Sequence, residues 1–267
     1  MITVTSTNNE AVKFAAKLSS SKRARDEAKL FVAEGRKLVA EALQSGYEAV
    51  DLFVTASAGN SYEDIYPRVS GTVYTVTLPV MNKITESKTP QDITAIFAYK
   101  SYGFTPDGSR YLCLEKVQEP GNAGALIRSA AAFGFDGVLL SEGCADMYSM
   151  KALRGSMGAI FRLPVFVLDD LRGFIVDMQK KGFCAYATAL RDDSVSLEKA
   201  SFSDKLLLLV GNEGNGLEDE TVALCDSILR IPMAQGTESL NAAVAGSIVM
   251  WEVSEWKKNM QSGFPKE

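Results

Sequence analysis

The chain has 267 residues, 46% of them hydrophobic and 23% charged, with a formal net charge of −5. Such a composition excludes a disordered chain and supports a sizeable core, and the mild acidity means that any nucleic-acid surface must be a local patch. Histidine is absent, which removes Ser-His-Asp and Cys-His catalysis together with the commonest metal ligand. Cys113, Cys144, Cys184 and Cys225 lie far apart with no CxxC pair, and read as small buried hydrophobes in a reducing compartment. The opening MITVTSTNNE lacks the apolar region of a signal peptide, and no apolar run of about 18 residues occurs, so the expectation is a cytoplasmic protein without a membrane span.

Residues 11–40 carry apolar positions at helical spacing (Val12, Ala15, Ala16, then Leu30, Phe31, Leu38, Val39), interrupted at 20–25, and are expected to be helical. They are strongly basic: Lys13, Lys17, Lys22, Arg23, Arg25, Lys29, Arg36 and Lys37 face only Asp26, Glu27 and Glu34. Charge alone fits a solvated helix face and a phosphate-binding patch equally well. Strand-like runs at 49–54, 72–77 and 93–99 alternate with helical stretches near 60–70 and 79–88, giving a small α/β domain over 1–100. The turn-rich KSYGFTPDGSR places a linker at 101–110.

From residue 111 to 267 the pattern is repeated strand and helix. Strands are predicted at 111–116, 137–140, 165–168, 184–188, 206–210 and 228–231. Helices are predicted at 123–133, 147–156, 171–181 and 217–224, with a last one from about 239 to 258. The near-continuous apolar strands suit a parallel sheet covered on both faces, whose ligands bind beyond the carboxyl ends of its strands.

Three loops at such ends stand out. EPGNAGALIR (119–128) opens a helix that is small or apolar on nearly every side, with Arg128 in its middle. A guanidinium buried there needs a carboxylate, phosphate or carbonyl partner, as a structural salt bridge or in a functional role. LLLLVGNEGNGL (206–217) runs a buried strand into three glycines, with Glu213 between Asn212 and Gly214. That spacing is not the dinucleotide fingerprint, and by itself fits a tight turn as well as a ligand loop. IPMAQGTESLNAAVAG (231–246) ends a strand and starts a helix, with Ser239 as a natural N-cap and small residues that invite close packing of another backbone.

Taken in order, PGNAGALIRSAAAFG (120–134), LLLLVGNEGNGL and IPMAQGTESLNAAVAG resemble the three motifs of the SpoU/TrmH RNA methyltransferases of the SPOUT superfamily. The connecting LRGSMGAIFRLPV (153–165) resembles that family too. KLSSSKRARDEAKLFVAEGRKLVAEAL (17–43), with Glu34-Gly35 its clearest mark, more loosely resembles the substrate-binding domain, similar to ribosomal protein L30e, that often precedes this catalytic domain.

The resemblance implies an α/β fold: a C-terminal SPOUT trefoil-knot domain with a parallel sheet, preceded by a small L30e-like α/β domain. It implies a homodimer with the active site between subunits, and transfer of a methyl group from S-adenosylmethionine (SAM) to a ribose 2′-OH of structured RNA. Ribosomal RNA is preferred, transfer RNA remains open, and no metal is required. The SAM pocket would use Thr188, Ala189, Leu190, Gly211, Asn212, Glu213, Gly214, Ile231, Met233, Ser239 and Leu240. Arg128 would lead catalysis, aided by Asn122, Glu213, Ser239 and Asn241. Lys22, Arg23 and Arg25 become the expected RNA contacts. Two positions depart from the family pattern: Gln118, where aspartate is common, and Gln235, where glycine is common. A nucleotide-binding oxidoreductase lacks its GxGxxG here, and a non-catalytic RNA-binding protein would be expected to have lost Asn122, Arg128, Glu213 or Asn241.

Overall fold

The computed structural model describes residues 1–58, 61–85, 87–100, 103–234, 236 and 239–262. Gln235, singled out above, lies outside them. The chain divides into two compact units, one of Met1–Ser101 with Asp146–Arg162, the other of Tyr102–Ala145 with Leu163–Glu267.

The first unit begins with β1 (Ile2–Val4), α1 (Glu10–Ser20), α2 (Lys22–Ala28), β2 (Leu30–Glu34) and α3 (Arg36–Gln44). It continues with β3 (Ala49–Thr55), β4 (Val73–Val76), α4 (Leu78–Thr85) and β5 (Ile93–Ala98). Its sheet runs β1-β4-β3-β5-β2, with β5 antiparallel to both β2 and β3. Val12, Ala15 and Leu18 of α1 pack with Val80, Met81 and Ile84 of α4 over one face of that sheet.

The helical reading of 11–40 is corrected here. Ser21 ends α1 and caps α2 through its hydroxyl, which accepts from the Ala24 N–H at 3.2 Å. Lys29 then takes a left-handed φ of 55°, and LFVAE pairs antiparallel with β5 as an edge strand. A five-residue apolar run fits either helix or strand by periodicity, and pairing with a distant strand decided it. The helix expected near 60–70 is also absent among the described residues, which hold only turns and a 3-10 turn at Tyr66–Arg68.

Glu34-Gly35 has a local cause. Buried Glu34 accepts from the Gln91 N–H and from Arg154 Nη2, each at 2.9 Å. Gly35 has φ +96°, and a Cβ there would stand 2.3 Å from Gln91 Oε1.

In the second unit the chain lays down β6 (Arg110–Leu114), α5 (Pro120–Ala132) and β7 (Gly137–Ser141). It then supplies α6 (Met150–Ser156) and α7 (Ala159–Arg162) to the first unit. There Tyr148 stacks on Phe31 and Tyr99, with centroids 4.5 and 4.4 Å apart. The second unit resumes with β8 (Val165–Leu168), α8 (Leu171–Lys180), β9 (Cys184–Thr188), β10 (Val195–Ser196) and β11 (Leu206–Val210). It closes with α9 (Asp219–Val222), β12 (Ser227–Arg230) and α10 (Ala242–Ser262).

These strands form one all-parallel sheet, β10-β12-β9-β11-β6-β7-β8. Phe104, from the stretch read as linker, makes edge contacts with Tyr111, Phe166 and Phe174 in its core. Small residues let α10 lie against α5: a Cβ on Gly246 would come within 2.5 Å of Leu126, and the Ser129 and Ser247 hydroxyls meet at 2.7 Å.

Candidate active site

Strands β12, β9 and β11 are neighbours and parallel, so the loops that follow them emerge together. Between those loops and the start of α10 lies a cavity of about 390 Å³. All eleven residues expected for a cofactor line it: Thr188, Ala189, Leu190, Gly211, Asn212, Glu213, Gly214, Ile231, Met233, Ser239 and Leu240. Leu229, Arg230 and Val249 line it as well and lie outside the quoted motifs, since they reach it through a strand end and a helix face.

The glycine loop is built on its backbone. Asn212 and Gly216 exchange two main-chain hydrogen bonds, N–H to O at 2.9 and 3.0 Å. The Asn212 side chain donates to the Lys116 carbonyl at 2.8 Å and accepts from the N–H groups of Gly214 and Asn215. Gly211 is the position where glycine is compulsory: a Cβ there would lie 2.2 Å from the Gly216 carbonyl carbon. At Gly214 a Cβ would meet nothing nearer than Asn212 Oδ1 at 3.5 Å, so that stretch of wall is bare main chain facing open space. Apolar walls with exposed peptide groups suit a flat heteroaromatic ring, and the volume falls within the roughly 300–1,000 Å³ of small-molecule sites.

Glu213 joins this cavity to a second feature. Its carboxylate accepts from the backbone N–H groups of Gln118 and Glu119, each at 3.1 Å, and from Asn122 Nδ2 at 2.9 Å. Burial works against its ionisation, but these donors outweigh it and hold the carboxyl below its ordinary range. Position 118 is used here through its main chain, so glutamine serves in place of the family's aspartate. Asn122 Oδ1 accepts in turn from Asn241 Nδ2 at 3.0 Å. Asn122 and Asn241 line a shallow groove of about 670 Å³ along α5 and α10, with Ala125, Val244, Ile248 and Trp251.

Three expectations are corrected. The N-cap of the last helix is Asn241, whose Oδ1 accepts from the N–H groups of Ala243 and Val244; Ser239 lies upstream of the helix. Ser is a good cap by type, but Asn241 alone has its acceptor against the free N–H groups. Arg128 is exposed, because α5 turns Ala123, Leu126, Ile127 and Ala130 inward and Arg128 outward. It makes no ion pair among the described residues. Arg25 is 4% exposed, with its guanidinium on Asp146 and on the Leu18 and Ser19 carbonyls, so it cannot reach RNA. Lys22 and Arg23 are exposed, Arg23 paired with Glu27 at 2.6 Å.

Comparison with known proteins gives this arrangement its class. Residues 109–251 match the model of the SpoU rRNA methylase family, and residues 9–95 match an MRM3-like substrate-binding domain. The chain is 31% identical over 250 residues to a 23S rRNA (guanosine(2553)-2′-O)-methyltransferase, RlmP, of Bacillus subtilis, covering 94% of this chain and 98% of that one. It is 29% identical to an uncharacterized tRNA/rRNA methyltransferase of Synechocystis, covering 93% and 92%. The crystal structure of an AdoMet-bound rRNA methyltransferase from Sinorhizobium meliloti superposes with a TM-score of 0.84 at 32% identity, covering 95% and 97%. The chain belongs to the SpoU rRNA methylase family.

Proposed function

We propose that this protein transfers a methyl group from SAM to a ribose 2′-OH of ribosomal RNA. The observation that carries the reading is the Glu213–Asn122 hydrogen bond, which ties the cofactor-sized cavity to a polar groove end where a second substrate can meet it. Intact Asn122, Glu213 and Asn241, hydrogen-bonded in one chain, argue against a degenerate, purely RNA-binding site.

SAM supplies a methyl group on a positively charged sulfur, an electrophile that needs no metal. Leu229, Ile231, Met233, Leu240 and Val249 would sandwich its purine, while the main chain of 188–190 and 211–216 would read the purine edge and ribose. Glu213 is too well supplied with donors to act as a base, and serves to orient Asn122. Asn241 does so from the other side while its own amide caps α10. Ser239 lines the cavity beside them. Arg128 stands six residues beyond Asn122, roughly 9 Å along the helix at about 1.5 Å per residue. It would grip a substrate phosphate and steady negative charge developing on the ribose oxygen, the work of a guanidinium cation rather than of a base. The wall at Gly211 gives one test: Gly211→Ala should weaken SAM binding roughly tenfold or more in calorimetry, because the new Cβ opposes backbone atoms.

The trefoil knot and the homodimer belong to the same reading. Close passage of α10 over α5 and Val210 at Gly246 supports the knot. Val244 and Trp251 on the groove are 48% and 50% exposed, the apolar surface a twin subunit would cover, and Trp251→Glu should shift the protein from dimer to monomer in sedimentation. Lys22 and Arg23 remain as RNA contacts of the first unit, and a cytoplasmic location accompanies an rRNA substrate. Incubation with methyl-labelled SAM and unmodified rRNA, followed by mapping of 2′-O-methyl sites, tests the proposal. Label confined to a base, to tRNA, or to no RNA overturns it.

A further inference from the structure

The first turn of α9 is an unusually well anchored post beside the cofactor cavity. Glu115, buried at the end of β6, accepts from the Glu218 N–H at 2.8 Å and from the Thr221 hydroxyl. Lys116 and Arg172 both pair with the Glu218 carboxylate, and Arg172 Nε donates to the Thr221 hydroxyl at 3.2 Å. The Glu218 carboxylate is thereby saturated and held below its ordinary range, mainly by its bond to Lys116. The next residue, Asp219, points elsewhere and pairs with Arg191.

Arg191 belongs to the loop after β9, directly after Leu190 of the cavity wall. Its carbonyl accepts from the Ser194 hydroxyl at 2.6 Å, which folds the segment into a tight turn. Leu190 lines the cavity while remaining 57% exposed, the behaviour of a side chain at a rim. One ion pair therefore joins the turn after Leu190 to the first residue of α9, each end within three residues of the cavity wall, at Leu190 and at Gly216; it is fixed at the α9 end and carried by a short turn at the other.

We propose that Arg191 and Asp219 are positioning residues for the cofactor: their ion pair latches the Leu190 turn over bound SAM and slows its release. The proposal rests on the SAM reading of the cavity. Neither residue was singled out by a sequence motif.

Calorimetry and stopped-flow release of SAM from the full-length protein test it. Arg191→Ala and Asp219→Asn should each raise the dissociation constant about fivefold through faster release, the upper limit for an exposed ion pair. The KM for SAM should rise with it, while kcat at saturating SAM keeps the wild-type value. Arg191→Lys should recover part of the affinity, and the exchanged pair Arg191→Asp with Asp219→Arg most of it. Added salt should weaken SAM binding to the wild type and leave Arg191→Ala nearly unaffected. Wild-type affinity in Arg191→Ala, or an exchanged pair no better than either single reversal, overturns the latch. A wild-type protein that takes up no SAM instead removes the cofactor reading, a result separable from both.

Discussion

Arg128→Ala is expected to lower the single-turnover rate of methyl transfer by about 10²–10³-fold, the cost of removing one preorganised charge stabiliser. SAM affinity should stay at the wild-type value, because Arg128 does not line the cavity and projects from the outer side of α5. The exposed guanidinium has no ion pair to lose among the described residues, so the fold should not suffer. Arg128→Lys should recover only part of the rate, since an ammonium cannot grip a phosphate with two parallel hydrogen bonds. A normal turnover in Arg128→Ala would move the chemistry away from α5 altogether. Parallel losses of rate and SAM affinity would instead mean that the substitution had disturbed the cavity.

The largest stability effect is expected from Arg25→Ala, a loss of about 3–5 kcal/mol. Arg25 Nη2 and Nε both reach Asp146 Oδ2, at 2.6 and 2.7 Å, and Nη1 donates to the carbonyls of Leu18 and Ser19. The Asp146 side chain is only 11% exposed, so truncating Arg25 leaves a carboxylate uncompensated and two carbonyls without a donor. Asp146→Ala should cost a similar amount, and the double variant clearly less than the sum. Both tryptophans, Trp251 and Trp256, lie on α10 of the second unit. The first unit is therefore best followed by urea titration with circular dichroism. A midpoint unchanged in Arg25→Ala would show that the pair is solvated in solution. The same geometry withdraws Arg25 from RNA, and the effect on methylation should follow the loss of folded protein.

Arg25 and Arg128 show why charge was hard to read in the chain. Arg25 sits in a basic run and reads as a surface residue, yet it is the one buried, because its partner Asp146 lies 121 positions away. Arg128 sits in an apolar helix and reads as buried, yet it is exposed, while Ala123, Gly124, Leu126, Ile127 and Ala130 are the residues of α5 turned inward. Residue type does not say which side of a helix meets the core when small residues cover most of its surface. The same limit applied to LFVAE, where the antiparallel partner at Ile93–Ala98 turned an apolar run into a strand.

The second half was far more legible. Continuous apolar runs of four or five residues mark buried parallel strands, and each of β6, β7, β8, β9, β11 and β12 lies within two residues of its expected span. Glycine and asparagine at 211–216 are dictated by local geometry, since a Cβ at 211 has no room and the Asn212 side chain folds back on its own turn. Such demands are short-ranged and leave their mark in the chain. The order β12-β9-β11, the hydrogen-bonded line from Asn241 through Asn122 to Glu213, and the reach of Asp219 to Arg191 left none. Each depends on groups at least 22 residues apart, the separation of Leu206 from its partner Cys184, brought together by strand pairing and helix packing that no local pattern encodes.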